Sequence, residues 1–199
     1  MRDEREEFIL YTNYSYEMMK TFWLCFSFIF CSLSVIYAQR EISFVEEYID
    51  FEINAEKFVI NGVYQFQNNT NRDIMRKITF PFGISTDSVT VNSVWDLTNG
   101  RSIDYEILKE SIAFPIKLNP QDNFSLHIVY NQPVKKENRY ILRSTQTWGE
   151  ALKSATYSLT VKDFAVEQFS YTPDSTKDNI YYWQKRDFLP EKDFIVTLK

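Results

Sequence analysis

Few side chains in this sequence could do chemistry. His127 is the sole histidine of the 199 residues, and both cysteines, Cys25 and Cys31, fall inside one uncharged apolar block. Structural and catalytic zinc sites draw first on cysteine and histidine. A metal centre here would need carboxylates almost alone, so no metal or other cofactor is expected. A serine triad would need His127 beside an exposed nucleophile turn such as G-x-S-x-G, a motif this sequence does not contain. Acid pairs remain, because glycoside hydrolysis needs only two carboxyl groups flanking a bond. The candidates are Glu46-Glu47, Asp104 with Glu106, and Asp187 with Glu191. The first reads as a solvated strand start, the second as the polar face of a strand, and the third as loop residues around Pro190. Solvation is the usual state of Asp and Glu. No catalytic residue is assigned, and the chain is not expected to be an enzyme.

Aromatic residues make up 17% of the chain, which raises a different kind of chemistry. Trp148-Gly149 follows the polar run from Ser144 to Thr147, and Tyr181-Tyr182-Trp183 precedes Lys185-Arg186. Such residues can stack on sugar rings or meet a partner. They can equally sit at the rim of a β core with their polar tips in water. Trp148, Tyr181, Tyr182 and Trp183 are therefore the candidate binding residues. The formal net charge of −5, without basic clusters, argues against nucleic acid.

The elements that must position these residues are strands. From Gln39 onward the apolar period is two. Ile49, Phe51 and Ile53 alternate with Asp50, Glu52 and Asn54, and Leu126, Ile128 and Tyr130 lie on one strand face with His127 on the other. The same alternation marks Val89, Val91 and Trp95, then Ile103, Tyr105 and Ile107, then Tyr157, Leu159 and Val161. Phe58, Ile60, Gly62, Tyr64 and Phe66 keep the period through Asn61-Gly62, which places Gly62 within a strand at a bulge or tight contact rather than in a hairpin. Turns are predicted at Asn68–Asp73, Asn99-Gly100 (type I′), Asn119–Asp122 (type I or II) and Pro173–Ser175. With no helical period between the strands, an antiparallel two-sheet β-sandwich is expected and a parallel sheet is excluded. Phe58, Ile60, Tyr64, Phe66, Val91, Trp95, Ile128, Leu159 and Val161 should share its core. Asn68-Asn69-Thr70 matches a glycosylation sequon, which matters only in a glycosylating host.

Thr21 to Ala38 is free of charge, follows Lys20 and ends in a small residue, the pattern of a signal peptide or hydrophobic helix. The expected organisation is an overlong start or disordered leader over 1–18, a signal peptide over 19–38 cut near Gln39, and one domain over 39–199. An uncleaved membrane anchor over 21–38 is the rival reading, because about 17 apolar residues can just span a bilayer. Export to the periplasm or beyond is expected. The domain beyond the block has no cysteine and depends on its core alone.

Two resemblances follow from particular residues. The run from Phe58 to Phe82, with Tyr64, Phe66, Asn68, Phe80 and Pro81 in a Y-x-F-x-N pattern before a later F-P, resembles a family of uncharacterised secreted β-sandwich proteins, as do Tyr140-Ile141-Leu142, Trp148 and the strand Ala155 to Val161. The stretches EYIDFEINAEKFVINGVY and LNPQDNFSLHIVY more loosely resemble the noncatalytic N-terminal β-domain of zinc aminopeptidases, although no H-E-x-x-H element is present. Both resemblances imply a sandwich, and neither implies a functional residue. The expectation is a noncatalytic exported binding or structural domain whose partner is a protein or cell-envelope component. A carbohydrate-binding module comes second and an acid-pair hydrolase third.

Overall fold

A computed structural model describes residues 40–199, and the apolar block with its signal-peptide reading lies outside the described residues. The strands run in chain order β1 (Ile42–Ile53), β2 (Lys57–Asn68), β3 (Ile74–Pro81), β4 (Thr90–Asp96), β5 (Arg101–Ser102), β6 (Glu106–Ile107), β7 (Ser111–Leu118), β8 (Asn123–Pro133), β9 (Glu137–Tyr140), β10 (Leu152–Val161), β11 (Val166–Phe169), β12 (Ser175–Lys177), β13 (Ile180–Phe188) and β14 (Phe194–Leu198). Helical structure among the described residues is confined to two short 3-10 segments, Thr86–Ser88 and Arg143–Trp148. The described residues are all-β, as the period of two predicts.

The strands form three sheets where two were expected. One has eight strands in the order β12-β13-β10-β1-β2-β8-β4-β5, and two have three strands each, β11-β14-β9 and β3-β7-β6. One pairing departs from the expected antiparallel arrangement: β1 runs parallel to β10, from Glu46 opposite Ser154 to Ile53 opposite Val161. Parallel neighbours need a long connection, usually helical. Here the strands from β2 to β9 make that connection, so the absence of crossover helices did not exclude the pair.

The inner face of the large sheet is built by the alternating positions. Ile49, Phe51 and Ile53 of β1, Phe58, Ile60, Tyr64 and Phe66 of β2, Leu126, Ile128 and Tyr130 of β8, and Tyr157 and Leu159 of β10 are all buried. Both small sheets touch this face. Phe51 stacks on Phe194 of β14 with centroids 4.6 Å apart, and Tyr64 meets Phe80 of β3 edge-on at 5.4 Å. Gly62 lies within β2 because the ring of Tyr64 folds back over it and occupies the space a Cβ would take. Asn68 does not offer a glycan site. It is fully buried, and its Nδ2 donates to the carbonyls of Arg72 at 2.8 Å and Asn119 at 2.7 Å, tying the turn after β2 to the turn before β8.

Three strand-level expectations need correction. In β4 the pairing with β8 slips between Val91 and Ser93, so a bulge at Asn92 reverses the parity that follows. Val94 is then buried at 3% exposure while Trp95 turns to the outer face at 38%, and Val91 is half-buried. The alternation read through Ile103, Tyr105 and Ile107 breaks into two two-residue strands, leaving Ile107 exposed. Asn99-Gly100 belongs to a longer loop between β4 and β5 in which Gly100, at φ 63°, is left-handed but Asn99 is not, which rules out a type I′ turn. The turn at Pro120 is type II in character, since Gln121 takes φ 57° and the Asp122 amide donates to the Asn119 carbonyl.

Candidate functional site

The site begins where β1 changes character. From Ile53 backward, the buried series Phe51 and Ile49 continues by twos to Glu47, so strand geometry carries a carboxylate onto the inner face. A register shift between Phe44 and Glu46 then turns Phe44 inward as well. These residues, with Tyr64 and Phe66 of β2 and Leu126 of β8, floor a cleft of about 530 Å³. One wall is β3 from Arg76 to Pro81, and the other is Tyr140, Ile141 and the 3-10 segment through Trp148. β3 pairs only with β7, and β9 only with β14, among the described residues. The cleft is therefore the gap between the free edge of β3 and the chain that leaves the end of β9. At one end the gap closes, since a Cβ added to Gly83 would lie 2.6 Å from the Arg139 carbonyl oxygen.

Glu47 is 1% exposed and accepts a hydrogen bond from the Tyr157 hydroxyl. Burial pushes its carboxyl up to about 7, and the bond from Tyr157 offsets this only in part. Beside it, the hydroxyls of Tyr64 and Tyr140 are hydrogen-bonded to one another at 3.1 Å, and burial holds both phenols above their ordinary range. The open end is cationic. Glu41 is bound by both Arg72 and Arg76, and Arg40 donates from Nη1 to the Thr147 carbonyl at 3.3 Å. Gly149 ends the 3-10 segment at φ 71°, and the Arg40 guanidinium lies where its side chain would be.

The proposed acid pairs do not assemble. Glu46 and Glu47 are neighbours in one strand and point to opposite faces; the reading of both as solvated fails for Glu47 because the inward parity of Ile49 and Phe51 extends to it. Asp104 and Glu106 are exposed, and Glu106 accepts from Lys77 at 2.6 Å. Asp187 and Glu191 are exposed too. No group of three or more His, Cys, Asp or Glu suited to a metal occurs among the described residues. His127 lies on the outer face, opposite Trp95 and Val63, with Nε2 2.7 Å from the Asn61 Oδ1.

The aromatic candidates separate. Trp148 is half-buried at the cleft wall, against Phe66 at 5.2 Å and Phe44 at 6.1 Å. Trp183 is 1% exposed, packed on Phe194 at 5.0 Å with its Nε1 donating to the Tyr171 carbonyl, and so offers no ring to a ligand. Its strand parity sets Tyr181 against Phe169 at 4.8 Å and leaves Tyr182 exposed on the other face. The four residues form no single platform. Sequence reasoning set Glu47 aside as solvated and gave Tyr140 no role in a site. The signal was present: Tyr64, Phe66, Phe80, Pro81, Tyr140 and Trp148, six of the residues that carried the first resemblance, all line this cleft.

No family model matches the chain, and no curated protein matches it in sequence. Solved structures do match in fold. A candidate nutrient-binding protein from Legionella pneumophila superimposes with a TM-score of 0.60 at 16% identity, over 80% of this chain and 67% of that one. The leukotriene A4 hydrolase of Saccharomyces cerevisiae gives 0.51 at 15% identity, over 79% of this chain and 29% of the hydrolase. This chain thus spans under a third of that enzyme. At these identities the matches establish the fold alone, and at that level they agree with the likeness drawn to a β-domain of zinc aminopeptidases.

Proposed function

We propose that this chain is an exported, noncatalytic binding domain and that its ligand occupies the cleft between β3 and the segment Tyr140–Trp148. One observation carries the reading: an open, aromatic-floored gap of about 530 Å³ lies between the edge of β3, unpaired among the described residues, and the segment Tyr140–Trp148, within the 300–1,000 Å³ range of small-ligand sites. The fold neighbour described as nutrient-binding supports binding as the class of function. The aminopeptidase-like fold, without the H-E-x-x-H element, supports a β-domain separated from that chemistry. A sugar platform finds no support in Trp183 and Tyr182, which are buried and on the opposite face respectively. The apolar block at 21–38 behind Lys20 supports export.

The test is to purify the full chain from its native host, release bound material by denaturation and identify it by mass spectrometry. Ser144→Trp, which fills the cleft from the half-buried wall, is expected to abolish what the wild type carries while leaving the circular dichroism spectrum unchanged. The same material on a folded Ser144→Trp protein would overturn the assignment of the cleft. The exported product should begin near Gln39, and peptides from residues 1–18 in it would refute the processing.

A further inference from the structure

We infer that the cleft takes an extended peptide that adds as a strand to the free edge of β3, apolar toward the floor and bearing a carboxylate at the open end. This rests on the cleft being the binding site. Residues 76–81 of β3 line the gap, and β3 is bonded on one side only, to β7. None of its outward backbone groups finds a backbone or side-chain partner among the described residues. Natural edges are usually blunted because such a row templates another strand. The large sheet obeys that rule, ending in β12 and β5, of three and two residues. β3 is longer, with eight residues, and its only protection is the charge of Arg76 and Lys77 and the proline at its end, Pro81. A gap that closes at Gly83 and Arg139 and is bounded on one side by the edge of β3 has room for one more strand on that edge, in which main-chain bonds give affinity and side-chain pockets give specificity.

The side-chain chemistry follows from strand parity. An added strand directs alternate residues to the floor, where Phe44 and Phe66 offer rings beside Trp148 of the wall and Glu47 is buried and bonded to Tyr157. At the open end, Arg72 and Arg76 share the carboxylate of Glu41 and Arg40 donates to the Thr147 carbonyl, so the guanidinium groups outnumber the carboxylates they contact. That excess selects a carboxylate on the incoming segment and rejects an ammonium.

The probe is a dye-labelled octapeptide alternating valine and glutamate, titrated into the full chain and followed by fluorescence anisotropy. Valine-lysine is the charge control. Two further versions carry N-methyl groups on one or the other alternate set of amides. Since a strand presents one set of amides to each side, one methylated version should bind about tenfold or more weaker while the other keeps the parent affinity. Arg40→Glu, at an exposed position, should weaken valine-glutamate and strengthen valine-lysine by about tenfold. No binding of any peptide, equal binding of both methylated versions, or equal binding of the lysine peptide would overturn the inference. If peptides fail but Ser144→Trp still loses its native cargo, the cleft binds something other than a strand and the assignment of the site survives. If Ser144→Trp changes nothing, that assignment itself falls.

Discussion

The two halves of β1 share one strand, one sheet and one inner face, yet they have opposite environments. Ile49, Phe51 and Ile53 are buried in the half covered by β14, where Phe51 stacks flat on Phe194 and Trp183 closes edge-on against Phe194. Phe44 and Glu47 lie under the gap between β3 and β9, where a buried carboxyl and paired phenols replace the dry packing. The two halves differ by one inward carboxylate, Glu47, and by the register shift before it that turns Phe44 to the same face. The contrast shows that the second layer decides which part of a uniform sheet face becomes core and which becomes a site. Burying a carboxyl costs several kcal/mol unless it is neutral or bonded, so a Glu on the inner face belongs to a place with a use for it.

The largest effect expected from breaking this contrast is in the sealed half. Phe194→Ala removes the ring on which Phe51 stacks and should cost about 3–5 kcal/mol in urea unfolding through lost transfer energy and cavity, while peptide or cargo binding in the cleft persists wherever the variant stays folded. Equal loss of binding and stability would mean that the two halves are one cooperative site.

Next in size is the pH dependence of the open half. The Glu47 carboxyl, at about 7 folded against an ordinary 4.5, holds a proton that the unfolded chain has released. Stability therefore falls as pH rises from about 4.5 to about 7, by about 3 kcal/mol, and stays lowered above that window. Glu47→Gln keeps an acceptor for Tyr157 but cannot ionise. Urea midpoints at pH 5 and pH 8 should show the variant free of this slope and more stable than wild type at pH 8. Parallel slopes in both proteins would mean that Glu47 ionises in contact with water.

Much of the fold was legible because period two is a direct image of a half-buried strand. Ile49 to Ile53, Phe58 to Phe66 and Leu126 to Tyr130 lie where their alternation puts them. What escaped was non-local. The parallel pairing of β1 with β10 joins residues about a hundred positions apart, and no local pattern encodes it. The division of the second layer depends on where β3 and β9 stop pairing, which sequence does not mark. The site escaped for the same reason: Glu47 was visible as an acid, but its neighbours Tyr64, Tyr140 and Tyr157 come from three other strands. Trp183 was misjudged because exposure depends on what covers a strand, here β14.

The smallest expected effects test the outer face against the inner one on β4. Because the bulge at Asn92 reverses parity, Val94 has the buried position and Trp95 the half-open one. Val94→Ala removes two methyl groups from the interior and should cost about 2 kcal/mol. Trp95→Ala deletes a far larger side chain, yet its ring faces outward across from His127, so the loss should be under about 1 kcal/mol. His127→Ala should be smaller still, since its bond to Asn61 lies on that same outer face. Urea unfolding of the three variants orders them by face rather than by size. If Trp95→Ala were instead the most damaging, β4 would follow the unbroken alternation of Val89, Val91 and Trp95, the bulge would not form in solution, and the inner face over β8 would be lined by a different set of residues.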